Sequence, residues 1–203
     1  MEENRIILRG QATQTAVFSH ESHGKHFFCQ PMEVPRLSGT VDTLNLLLPE
    51  PLAAAIPIGE LVEVTGDVRS FNNRSGVGSK LVITVFVQTV APCDGPPENA
   101  LILTGVLCKP PIFRRTPLGR EICDLMLAVP RRYGRSDYLP CIAWGTTAAR
   151  AAGLAVGDRV RLEGRLQSRP YIKTEDDRQV TKVAFEISIS TLEPLPFFPN
   201  PSP

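Results

Sequence analysis

Apolar and polar residues alternate with a period of two from Leu61 to Arg69, and again from Arg159 to Gln167. Val183, Phe185, Ile187 and Ile189 alternate in the same way against Lys182, Glu186, Ser188 and Ser190. Side chains of a strand point to opposite faces in turn, so this pattern predicts half-buried strands. Gly66 and Gly164 fall in the middle of two of these runs, where glycine marks a bulge or a tight bend at a barrel corner. Helical signals are short. Thr146–Ala152 (TTAARAA) is followed by Gly153 as a stop, and Pro51–Ile56 (PLAAAI) opens on proline.

The two sets of signals are copies of one another. Asn4–Gly10 (NRIILRG) matches Asn99–Gly105 (NALILTG) at an offset of 95. At that offset Val17-Phe18 matches Ile112-Phe113, Gly24 matches Gly119, and Glu33-Val34-Pro35-Arg36 matches Ala128-Val129-Pro130-Arg131. Asp42 matches Asp137 and Leu44 matches Leu139. After an insertion of three, Gly59 matches Gly157, Gly66 matches Gly164 and Ser70 matches Ser168. A repeat this long exceeds the roughly 20–50 residues of a solenoid unit and has the size of a domain. Each copy reads strand, strand, strand, short helix, strand, strand. That order predicts an all-β chain of two tandem OB-folds, five-stranded Greek-key barrels with a helix between strands three and four. The predicted boundaries are 1–91 for the first barrel, 92–98 for a Pro/Gly linker, 99–193 for the second barrel and 194–203 for a Pro-rich tail.

Composition fits this reading, and charge separates the copies. Among 203 residues there are 19 prolines and 15 glycines, suited to short strands and frequent turns. The formal net charge of +1 divides into −4 over residues 1–98 and +5 over residues 99–203. A polyanionic partner is therefore expected on the second copy.

That copy also interleaves aromatic and basic side chains. Arg131-Arg132-Tyr133 follows strand two. Tyr138 and Trp144 stand six apart in strand three, an even spacing that puts both on one face. Arg169-Pro170-Tyr171-Ile172-Lys173 follows strand four and opens the next loop, and Arg114-Arg115 lies in the loop between strands one and two. Cations meet phosphates and flat rings stack bases, which is what a sequence-tolerant binder of single strands requires.

In order along the chain, TGVLCKPPIFRRTPLG, LAVPRRY, SDYLPCIAWGTTA and GDRVRLEGRLQSRPY resemble the bacterial single-stranded DNA-binding protein family. The resemblance covers residues 99–193, about half the chain, and reaches the first half only through the internal repeat. It implies base-stacking roles for Tyr133, Tyr138, Trp144 and Tyr171, and phosphate or groove contacts for Arg131, Arg132, Arg165 and Arg169. Arg114, Arg115 and Lys173 complete the expected DNA-binding set. Shifted into the first copy, the four aromatics become Ser38, Thr43, Pro49 and Asn73. Arg132, Arg165 and Arg169 become Leu37, Asp67 and Phe71, and only Arg131 keeps its type, as Arg36. The first barrel is thus expected to serve assembly or to bind through another surface, with Phe18, Phe71, Arg69 and Arg74 as its best contacts. Leu81–Val87, apolar on both faces, predicts a strand covered on both sides, at a barrel–barrel or subunit interface.

Other chemistries find little support. His20, His23 and His26 are spaced by three, but a hairpin does not hold all three on one side, so no metal is expected. Cys29, Cys93, Cys108, Cys123 and Cys141 are odd in number and lack a CxxC, which points to reduced thiols in the cytoplasm. There is no phosphate-cradling GxxxxGK[ST], HExxH or GxSxG motif, so neither a cofactor nor enzymatic activity is expected. The N-terminal MEENRIILRG lacks the apolar run of a secretory leader, and no stretch reaches the ~18 apolar residues of a membrane span.

The family's members typically end in a flexible acidic tail that recruits replication proteins. The proline-rich Glu193–Pro203 segment does not resemble it, so replication-protein partners are not assigned. Family members with one barrel per chain form tetramers, so two barrels per chain imply a homodimer with four OB-folds. The expected role is strand coating in DNA replication, repair or recombination, at the nucleoid. The competing role is an assembly or primosome-type adaptor whose barrels mainly bind proteins.

Overall fold

The computed structural model describes residues 3–73, 80–131, 134–175 and 178–196. The strands of the first copy are β1 (Asn4–Ala12), β2 (Val17–Ser22), β3 (Lys25–Pro35), β4 (Val41–Pro49), β5 (Leu61–Asn72) and β6 (Leu81–Pro92). Those of the second are β7 (Glu98–Leu107), β8 (Ile112–Arg115), β9 (Glu121–Pro130), β10 (Ser136–Trp144), β11 (Arg159–Glu175) and β12 (Arg178–Pro194).

The two copies share one topology. In the first, the strand order is β2-β3-β4-β6-β5-β1, and β1 closes onto β3 at Gln11–Glu33 and Ala12–Met32. In the second it is β8-β9-β10-β12-β11-β7, and β7 closes onto β9 at Val106–Ala128 and Leu107–Leu127. Each barrel contains a parallel strand pairing, β4 with β6 and β10 with β12, as a Greek-key closure requires. The five closing strands form the expected OB-fold. The sixth, β2 or β8, pairs with the outer edge of β3 or β9 and makes a two-stranded arm.

The alternation seen in the sequence sets the cores. Ile6 and Leu8 on β1, Val62, Val64 and Val68 on β5, and Ile83, Val85 and Val87 on β6 are buried in the first barrel. Leu101, Leu103 and Leu107 on β7, Leu125, Leu127 and Val129 on β9, and Val160 and Leu162 on β11 are their counterparts. Gly66 sits at a register shift between β5 and β6, and a Cβ there would run into the carbonyl of Phe86. Gly164 is placed in the same way against the carbonyl of Ser188. These two glycines allow a close backbone approach where the sheet bends.

Several expectations change in detail. Arg114 and Arg115 lie in strand β8 rather than in a loop. Residues 169–173 continue β11 rather than following it, because the hairpin pairing runs on to Glu175. The helix of the second barrel is α1 (Gly145–Ala151), anchored by buried Ala148 and Ala151. In the first barrel only a single 3-10 turn forms, Glu50–Leu52. Gly153 does not adopt a left-handed conformation; its N–H closes a tight turn onto the Arg150 carbonyl at 3.1 Å.

The compact units of the chain interleave along the sequence. One contains Met1–Asn4, Ile102–Arg165 and Ile187–Pro203, and the other Arg5–Leu101 and Leu166–Glu186. The distal halves of β11 and β12 thus group with the first barrel. Among the described residues no helix is long and apolar enough to cross a membrane.

Candidate nucleic-acid interface

Strand pairing places the predicted residues of the second barrel row by row. On β10, Asp137, Leu139, Cys141 and Ala143 face the core, so Tyr138, Pro140 and Trp144 face outward. Tyr138 is 51% exposed and Trp144 38% exposed. Six residues separate them, roughly 20 Å along an extended strand. On β9, Trp144 pairs with Ile122 and Tyr138 with Ala128. On β8, Arg114 also pairs with Ile122, so Arg114, Ile122 and Trp144 form one cross-strand row. Ile112, 61% exposed, pairs with Asp124 in the next row. The outer face of β8, β9 and β10 therefore carries an exposed aromatic ring at each end and a guanidinium beside one of them, with buried Ile122 and Ile142 between the rings.

The arginines are not equivalent. Arg114 donates from Nε to Asp124 Oδ2 at 2.7 Å and from Nη2 to Oδ1 at 3.2 Å, while Arg115 donates to Glu121 Oε1 at 2.9 Å. Both pairs lie on the exposed arm, where solvent screens them and a phosphate can compete. Arg131 is held differently. Its Nε and Nη2 grip both oxygens of Asp137, whose side chain is fully buried. The first barrel carries the same pair, Arg36 on Asp42, and the hydrogen bond to Asp42 raises the Arg36 pKa above its ordinary value. This pair, repeated in both barrels, ties the end of one strand to the start of the next. It explains why Arg131 alone among the predicted arginines keeps its type in the repeat.

Arg165 is exposed on β11 within the second-barrel unit. Arg169 and Tyr171 lie in the other unit, with the first barrel. Arg169 stands 3.5 Å from Glu186, which also accepts from Gln167 at 2.9 Å, and Tyr171 is half-buried. Arg132, Tyr133 and Arg74 lie outside the described residues, as does the side chain of Lys173.

The first barrel holds aromatics that the linear offset misses. His20 pairs with Phe27 across β2 and β3, and their rings stack at 5.1 Å with 19° between planes. Phe27 meets Phe86 of β6 at 6.1 Å, and the Arg69 guanidinium lies 5.9 Å from the centre of the Phe86 ring. The second face of β6 is thus covered at Phe86 by groups of the same barrel. His26 is directed elsewhere, toward Glu50 at 3.4 Å and Glu21 at 3.7 Å. Phe18 packs edge-on against His26 and Phe28. Among the described residues no group of three or more acidic, histidine or cysteine side chains could hold a metal ion.

Comparison with known proteins bears on the second barrel first. Residues 98–195 match the model of the single-strand binding protein family. Over 104 residues the chain is 35% identical to single-stranded DNA-binding protein 2 of Listeria innocua, covering 47% of this chain and 65% of that one. It is also 35% identical to single-stranded DNA-binding protein A of Bacillus subtilis, covering 47% of this chain and 60% of that one. The chain therefore spans somewhat less than two thirds of the length of these relatives. Among solved structures, the wild-type single-stranded DNA binding protein from Thermus aquaticus superposes with a TM-score of 0.77 at 22% identity, covering 100% of this chain and 97% of that chain. That likeness extends the fold to both barrels. The likeness to the single-strand binding protein family is carried by the second barrel, residues 98–195.

Proposed function

We propose that the protein binds single-stranded DNA without catalysis, and that the outer face of β8, β9 and β10 is the main contact. The observation that carries this reading is the row Arg114–Ile122–Trp144, with Tyr138 on the same face. Rings take up bases whatever their sequence, at about 1–3 kcal/mol per base, and the guanidinium beside them meets the backbone. Arg115 on the arm and Arg165 on β11 extend the contact; Arg132, Tyr133, Arg169, Tyr171 and Lys173 are further DNA contacts of this proposal. Arg131 supports the site by holding Asp137. The +5 charge of residues 99–203 raises the local concentration of a polyanion. The setting is DNA replication, repair or recombination at the cytoplasmic nucleoid, and the assembly is a homodimer with four barrels.

Trp144 is the only tryptophan, so its fluorescence reports this face directly. Oligo-dT quenches it, and affinity falls steeply as salt rises because counterions are released from the strand. Absence of both quenching and binding at low salt would overturn the proposal in favour of a protein-binding adaptor.

A further inference from the structure

A groove of about 380 Å³ lies among α1, β11 and β12, and its charged lining residues are Arg150, Arg161, Glu163 and Glu193. All four belong to the same compact unit. None of the residues placed on the DNA face lines it. Arg161 is satisfied locally: it donates from Nε to Glu3 Oε2 at 2.8 Å and from Nη1 to Glu163 Oε1 at 2.9 Å. Arg150 and Glu193 are not. Among the described residues neither side chain has a hydrogen bond or ion pair, and although they share the groove they do not pair with each other.

The repeat shows that the fold does not need these two charges. The Cys93 N–H donates to the Leu61 carbonyl as the Leu195 N–H does to the Arg159 carbonyl, so β6 and β12 align at an offset of 102. Glu193 then corresponds to Ala91. Arg150 corresponds to a position within Pro51–Ile58, a stretch without a charged side chain. By contrast, the Arg36–Asp42 pair recurs as Arg131–Asp137 because both barrels are built on it. A cation in the last turn of a helix offsets the macrodipole, which accounts for Arg150 but not for a carboxylate in the same groove.

An unpaired cation and an unpaired anion in one groove are self-complementary: rotated about a two-fold axis, the same surface meets each charge with its opposite. We propose that this groove is where the two copies of the homodimer meet, with Arg150 of each protomer against Glu193 of the partner subunit. The inference rests on the homodimer of the proposed function and names its surface. Exposed ion pairs contribute little affinity by themselves, so these fix how the copies are oriented. Val156, 55% exposed in the connection from α1 to β11, adds apolar area next to the groove's elements.

The test is sedimentation equilibrium of the full chain over a concentration series, for wild type, Arg150→Glu, Glu193→Arg and the double variant carrying both. Each single reversal sets like charges opposite one another twice in the dimer, and is expected to raise the dimer dissociation constant by roughly tenfold or more. The double variant restores opposite charges and is expected to return to within about threefold of wild type. An unchanged circular dichroism spectrum reports an intact fold in all three. Single variants that associate as tightly as wild type, or a double variant as weak as the singles, would overturn the proposal and leave the homodimer in place. A wild-type chain that stays monomeric at every concentration would instead sink the homodimer reading, and this surface with it.

Discussion

The backbone N–H of Ser168 donates to Oδ1 of Asp42 at 2.7 Å, joining residues 126 positions apart. Asp42 is fully buried and already receives two bonds from Arg36. The Thr43 N–H donates to the Ser168 hydroxyl at 3.1 Å, and Arg36 Nη2 reaches the Ser168 carbonyl at 3.4 Å. One carboxylate thus fixes the β3–β4 connection and the β11 segment of the same compact unit. A buried carboxylate is tolerated because all its neighbours here are donors.

Removing that carboxylate leaves a partly buried guanidinium and a backbone N–H without their acceptor. Asp42→Ala is expected to destabilise the first barrel by about 3 kcal/mol, and Asp137→Ala the second by a similar amount. Ser168→Ala keeps the backbone donor and is expected to cost only about 1 kcal/mol. Denaturant unfolding of the three variants checks the order; a Ser168→Ala effect equal to that of Asp42→Ala contradicts it.

Tyr138→Ala and Tyr171→Ala are each expected to weaken oligo-dT binding by about 1–3 kcal/mol, roughly fivefold to 150-fold. Phe18→Ala is expected to leave affinity near wild type, because Phe18 packs into the arm against Phe28 and His26. Equilibrium titrations at one fixed salt concentration compare them.

Asp124 sits on the face proposed to receive DNA and holds the Arg114 guanidinium with both oxygens. A phosphate must compete with it. Asp124→Asn is therefore expected to tighten binding by about threefold to tenfold at low salt. It also steepens the salt dependence by about one unit of log K against log salt. Unchanged affinity and slope would show that Arg114 does not meet the backbone.

A methyl group at position 164 has no room against the Ser188 carbonyl. Gly164→Ala is expected to destabilise the second barrel by about 1–3 kcal/mol through overpacking. Thermal unfolding of the variant measures the loss.

None of the five cysteines forms a disulfide, but they are not equally reactive. Burial pushes the Cys123 thiol up, and nearby Asp124 adds to the rise. Thiolate is the reactive form, so Cys123 is expected to resist alkylation at neutral pH together with buried Cys141. Half-buried Cys29, Cys93 and Cys108 are expected to react first. Mass spectrometry after timed iodoacetamide treatment checks the order.

Sequence by itself determined the two copies, their all-β character and the placing of Tyr138 and Trp144 at even spacing on one strand. These are legible because side-chain alternation is a local property of a strand, and because a glycine such as Gly66 or Gly164 recurs wherever the same bend is built. It also showed that Arg36 and Arg131 correspond, but not why. Only folding brings Asp42 and Asp137 into a buried position beneath them. Tertiary structure likewise decided which residues share a row. The partner of Trp144 across β9 and β8 is Arg114. A linear offset compares residues along one strand, whereas a binding face is assembled across several. One register shift between Phe18 and His20 is enough to bring His20 opposite Phe27, and the sequence carries no mark of that shift. The four aromatics in the second copy could therefore be read from the chain, while the stack of His20 on Phe27 in the first became visible only through strand pairing.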